Sequence, residues 1–214
     1  MQFDTRREEL ANSLTHGLGL SLSLAGALAL LLTASQTADM ARLGGCCVYA
    51  AMLVAVYAAS TLSHLVYEPR LRRLFRILDQ AFIYLLIVGT YTPLALVYLH
   101  GGWLWVLFIA MWVIALIGFV SKTLWRHHIE AVSLSTYALL GWMPILATIS
   151  AWQLLPGPML LLILGGGLCY TVGLLFLYWG NRVPFFHAVW HLLVMAGSAC
   201  HYAAIFRYVA LPSD

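Results

Sequence analysis

Apolar residues in this chain come in long blocks separated by short polar connections. Seven blocks stand out: residues 13–33, 43–64, 74–99, 102–121, 131–152, 159–179 and 185–208. Each matches the roughly 20 residues that a helix needs to cross a hydrocarbon core. The connections carry the helix breakers, as in His100-Gly101-Gly102, Pro156-Gly157-Pro158 and Gly180-Asn181-Arg182-Val183-Pro184. Spanning segments must be helices or closed barrels, because backbone groups cannot stay unpaired in lipid. Barrel strands alternate apolar and polar positions, and runs such as residues 28–32 do not. The pattern predicts an all-α, seven-helix transmembrane bundle forming one domain over residues 1–214. Pro93 and Pro144 fall inside the third and fifth spans and predict kinks there.

Composition strengthens this reading. The chain is 63% hydrophobic and 9% charged, against about 25% charged residues in soluble domains. The bilayer must serve as its solvent, and membrane lipids are its expected partners. The net charge of +3 sits in short clusters, which argues against nucleic acid as a partner. Cys46, Cys47, Cys169 and Cys200 lie within apolar stretches and read as small buried hydrophobes rather than a disulfide framework. The first apolar block is longer than the 7–15 residues of a signal-peptide core, so it is expected to remain as a span.

Charge also sets orientation. Arg6, Arg7, Arg70, Arg72, Arg73, Arg76, Lys122, Arg126 and Arg182 fall on the side of the N-terminus, and only Arg42 and Arg207 fall opposite. The positive-inside rule predicts the N-terminus inside and the C-terminus outside. Tyr98, Trp103, Trp105 and Trp152 flank the predicted outer ends and read as an aromatic belt.

Ionisable residues at membrane depth are costly, so each is a functional candidate. His64 closes span two, Asp79 opens span three, and His187 and His191 open span seven. All four fall at one depth, on the inner side. His187 and His191 are four residues apart, which puts both imidazoles on one helix face. His64 could supply a third nitrogen, giving the pattern of a catalytic zinc site with a fourth position open, with copper, iron and nickel as alternatives. Asp79 could ligate, orient a water or accept its proton. Ser60, one turn before His64, could donate to a substrate oxygen. The competing reading is that these groups hold helices together by hydrogen bonds. His201 lies ten residues past His191, about 15 Å along a helix, and reads as a packing histidine. His127 and His128 read as a solvated basic patch and His100 as part of an outer turn. In the polar segment of residues 8–17, Asn12 reads as the N-cap of span one, with His16 near the membrane edge.

Taken in order, Glu9-x-x-Asn12-x-x-Thr15-His16-Gly17, Ser60-x-x-x-His64, Asp79, Gly89-Thr90-Tyr91-Thr92-Pro93, and His187-x-x-x-His191 followed by His201 resemble the signatures of hemolysin III-type proteins. These are bacterial members of the progestin and adipoQ receptor family, related to adiponectin receptors and alkaline ceramidases. The resemblance implies seven helices and a zinc ion near the cytoplasmic face. Its implied ligands are His64, His187 and His191, with Asp79 meeting the zinc through water and Ser60 matching the serine of the wider hydrolase superfamily. The His64–Asp79 loop is slightly shorter than in the eukaryotic receptors, and their long N-terminal domain has no counterpart, so a receptor role transfers least well. A bacterial inner-membrane location is expected.

Two functions follow as expectations. One is a zinc-dependent intramembrane hydrolase of a lipid amide or ester, with Asp79 as general base and Ser60 stabilising the oxyanion. The other is a non-enzymatic regulator or sensor of membrane lipid or energetic state, with structural zinc. A pore is disfavoured, because no span carries a polar stripe.

Overall fold

A computed structural model describes residues 5–99, 101–124, 130–150, 152–180 and 182–211. Helix α1 covers Thr5–Ala34, α2 Met40–Leu65, α3 Pro69–Tyr98, α4 Gly102–Leu124, α5 Glu130–Trp142, α6 Pro144–Ser150, α7 Gly157–Trp179 and α8 Phe186–Ile205. A π-helical turn, Phe206–Ala210, extends α8. Among the described residues, six helices are long and apolar enough to cross a membrane, and a shorter apolar helical stretch lies at Leu134–Ala147. Together they form a seven-helix membrane bundle. The readings made for His100, Arg126, His127, His128 and Asn181 fall outside the described residues.

Local chemistry explains the helix starts. Asp39 caps α2, accepting from the backbone N–H groups of Ala41 and Arg42 at 3.0 and 3.1 Å. The Arg42 N–H in particular holds the Asp39 carboxyl below the usual carboxylate range. Glu68 caps α3 in the same way, and Pro69 occupies the first turn, where no N–H is needed. Both α1 and α3 begin earlier than the apolar pattern predicts, because their charged first turns continue the helix past the apolar block.

Asn12 therefore lies inside α1, with a buried side chain, and is not its N-cap. The lipid-facing side of α1 is a stripe of exposed leucines, Leu10, Leu14, Leu18, Leu22, Leu28 and Leu32. Asn12, Ser13, His16 and Ser23 turn inward.

The fifth crossing departs from a single continuous helix. It breaks at Met143 between α5 and α6 and ends in a short 3₁₀ turn, Trp152–Leu154. Pro144 has no N–H to donate, and its ring collides with the carbonyl four residues back. Helix α3 runs through Pro93 without a break.

Two apolar clusters fill the interior. One joins α1, α2, α7 and α8 around Leu30, Tyr49, Leu53 and Ile205. The other joins α3, α4 and α5 around Val88, Met111 and Leu140. Small residues allow close helix crossings. A Cβ on Gly45 would lie 2.7 Å from the Pro93 Cα, and one on Gly166 would lie 2.4 Å from the His201 ring. All four cysteines are free thiols. Cys46 is buried, Cys169 and Cys200 are half-buried and Cys47 points outward, so the expectation of burial holds fully only for Cys46. Trp103 and Trp152 are exposed, while the Tyr98 hydroxyl donates to the Tyr208 carbonyl.

Candidate metal centre

Three histidines from two helices meet at the end of the bundle that holds the N-terminus of α1. His64 comes from the last turn of α2, and His187 and His191 from the first two turns of α8. One ring nitrogen from each lies within 4.8 Å of the other two. The ring centroids are 4.5 Å apart for His187–His191, 5.2 Å for His64–His191 and 5.4 Å for His64–His187. His64 and His191 are buried and His187 is half-buried.

The Nε2 atom of His64 is buried without a hydrogen-bond partner. An orphaned polar atom of this kind is costly, and its position among three imidazoles suits a metal ion. The donor set fits zinc or another divalent metal that accepts imidazole.

Asp79 stands beside the three histidines rather than among them. It is no member of the 4.8 Å group, and it interacts with Ser60 and His64. Ser60 is fully buried, and its hydroxyl, though turned toward Asp79, closes no hydrogen bond. It is free to donate to an incoming oxygen.

A cavity of about 150 Å³ begins beside the centre; its lining includes Asp79 and His16 but not His64, His187, His191 or Ser60. Asp79 and His16 line one end, and His201, Ala204 and Ile205 line the other. Apolar side chains such as Leu86, Leu94 and Val194 form most of the wall between. Along α8 the lining runs from Trp190 to Ile205, about 22 Å at 1.5 Å per residue.

His201 does not join the cluster. Its Nε2 pairs with the Ile163 carbonyl at 3.1 Å, and its ring lies against Tyr170, which ties α8 to α7.

Comparison with known proteins is decisive on kinship. Residues 4–202 match the family described as Haemolysin-III related. The chain belongs to that family. It is 37% identical to Hemolysin-3 of Bacillus cereus over 203 residues, covering 95% of this chain and 92% of that one. It is 32% identical to the Hemolysin-3 homolog of Bacillus subtilis, covering 95% of each. The human monocyte to macrophage differentiation factor is 30% identical over 173 residues, 76% of this chain and 69% of that one. That likeness supports the wider kinship with the progestin and adipoQ receptor family. No solved structure matches the chain.

In this haemolysin III-type chain, the polar turns of α1 are part of the centre, a feature the capping interpretation overlooked. Glu9 Oε2 lies 2.7 Å from His64 Nδ1, and Glu9 Oε1 pairs with Arg72 at 2.5 Å and Arg76 at 3.5 Å. Thr15 Oγ1 lies 3.2 Å from His191 Nδ1. The His16 ring lies tilted against that of His191 with centroids 3.6 Å apart, and both its nitrogens are buried without partners. Glu9, Asn12 and His16 are spaced i, i+3 and i+7. That spacing, a polar face on an otherwise apolar helix, is the sequence signal that they turn inward.

Proposed function

We propose that the protein is a zinc-dependent intramembrane hydrolase acting on a lipid amide or ester. Its site would lie at the cytoplasmic side of a bacterial inner membrane, with the N-terminus inside. The observation that carries this reading is the juxtaposition of three histidine nitrogens, a carboxylate and a buried hydroxyl, with the carboxylate of Asp79 also lining one end of an apolar cavity. His64, His187 and His191 would hold the ion. When bound, it supplies Lewis acidity that makes water nucleophilic at neutral pH. Asp79 takes the proton from the attacking water at its carboxylate oxygen. Ser60 Oγ–H donates to the substrate carbonyl oxygen as negative charge develops there. The apolar cavity accepts an acyl chain and keeps bulk water from the reacting carbonyl. Nine cationic residues on the side of the N-terminus favour a cytoplasmic placement of that end.

The test is a lipid turnover screen on purified, zinc-loaded protein beside Asp79→Asn. Hydrolysis of one lipid class by the wild type is expected. Asp79→Asn should fold and retain zinc but lose activity, by about 100-fold or more for a missing general base. Turnover of no lipid class, or full activity in the variant, would contradict the reading.

One observation favours a second reading. The backbones of α2 and α8 seldom approach closely and are bridged by side chains such as Tyr57 and Ser198, so a metal shared by His64 and His191 would act as a further tie between them. In a sensor with structural zinc, Asp79→Asn and Ser60→Ala would change stability and regulation rather than any turnover.

A further inference from the structure

We infer that Glu9 and Thr15 of α1 are positioning residues for the metal centre: each holds the Nδ1 atom of one ligand histidine, so that both rings present Nε2 to the ion. The inference rests on the metal-binding reading above and adds to it a role for a helix that supplies no ligand.

The tautomers follow from the hydrogen bonds. An ionised carboxylate can only accept, so His64 Nδ1–H donates to Glu9 Oε2 across 2.7 Å. The ligating lone pair is then on Nε2, the atom that is buried without a partner. The Thr15 hydroxyl gives its one proton to the carbonyl of Ala11 at 2.8 Å. Its lone pairs remain to accept His191 Nδ1–H at 3.2 Å, and the Asn12 carbonyl faces the same ring. Two histidines on different helices are thus set in one tautomer by one neighbouring helix. A carboxylate behind a ligand histidine fixes the ring orientation and makes the other nitrogen a better donor.

Other contacts anchor α1 for this task. Arg72 and Arg76 of α3 hold the second Glu9 oxygen, leaving Oε2 for His64. Glu8 Oε1 accepts the backbone N–H of Phe185 at 3.0 Å. Phe185 takes a left-handed conformation, φ 62°, immediately before α8. Such a conformation is uncommon for a bulky residue, and the Glu8 contact fixes the start of the helix that carries His187 and His191.

The experiment measures zinc affinity by competition with a chromophoric chelator, on the full chain in detergent. Thermal unfolding of the metal-free protein is followed alongside. Glu9→Gln should bind zinc roughly 10- to 100-fold more weakly, the usual cost of removing such a partner, with only a small drop in the metal-free melting temperature from its weakened pairs with Arg72 and Arg76. Its cobalt(II) form should have an altered visible spectrum. The double variant Arg72→Gln/Arg76→Gln, which loosens Glu9 but keeps its contact with His64, should weaken zinc binding clearly less than Glu9→Gln does. If Glu9→Gln does not fold, Thr15→Val carries the same measurement through His191, with a weakening of several-fold expected. Wild-type affinity and spectrum in Glu9→Gln would overturn the positioning role while leaving the metal site standing. Equal weakening in the arginine double variant would also overturn it, because α1 would then act only as a structural brace. A wild-type protein that binds no zinc would overturn both the site and this role.

Discussion

A buried hydroxyl or imidazole in a membrane bundle must find a partner, and the bundle supplies partners unevenly. Near the middle of α8, Ser198 takes a hydrogen bond from the Tyr57 hydroxyl at 3.0 Å and pairs with the Tyr170 hydroxyl at 2.8 Å. This knot joins α2, α7 and α8 and is fully satisfied. At the metal centre, by contrast, His64 Nε2, both nitrogens of His16 and the Ser60 hydroxyl are left without partners. Tyr49, Tyr91 and the Nδ1 atom of His201 also lack partners elsewhere in the bundle, so the unpartnered groups at the centre stand out by their clustering rather than by their number. Ser198→Ala is expected to lower stability by about 1–2 kcal/mol, in line with hydrogen bonds between membrane helices, with zinc affinity unchanged. Thermal unfolding in detergent with parallel metal titration checks both parts.

At the scale of elements, close helix crossings depend on individual glycines. Gly45 meets the backbone of Pro93 on α3, whereas its neighbour Gly44 has nothing within 4 Å of an added Cβ. Gly45→Ala should destabilise the protein by about 1–3 kcal/mol, the usual cost of overpacking. Gly44→Ala should be neutral or slightly stabilising, since alanine is the better helix former. Thermal melts of the matched pair decide the point. Element positions were largely legible from apolar block length, because lipid crossing imposes that length. Boundaries were less so. Charged turns such as Glu8-Glu9 and Arg70–Arg73 stay helical once tertiary partners pair them, and no hydropathy pattern records such pairing. Pro144 announced a kink, but whether a proline bends or breaks a helix depends on its neighbours, as the uninterrupted passage of α3 through Pro93 demonstrates. Within the site, the i, i+4 histidines and His64 were readable because depth and spacing are local properties. The inward face of α1 was not, because its role depends on which helix it packs against.

At the scale of the molecule, α1, α2, α3 and α8 converge at one end, and the cavity leads from there toward the opposite ends of α3 and α8. The bundle thus combines a polar, histidine-rich head with an apolar interior, an arrangement suited to a lipid whose carbonyl lies near the headgroup region and whose chain runs inward. The proposed chemistry and the positioning role of α1 both depend on His64, His187 and His191 holding a metal. The most direct test is the metal content of chelator-free, detergent-purified protein by elemental analysis, wild type beside His191→Ala. About one zinc per chain in the wild type, lost in His191→Ala while the variant remains folded, is the expected result. A wild-type protein without metal, or a variant that retains the full complement, would contradict the account and reduce the histidines to groups that pack helices together.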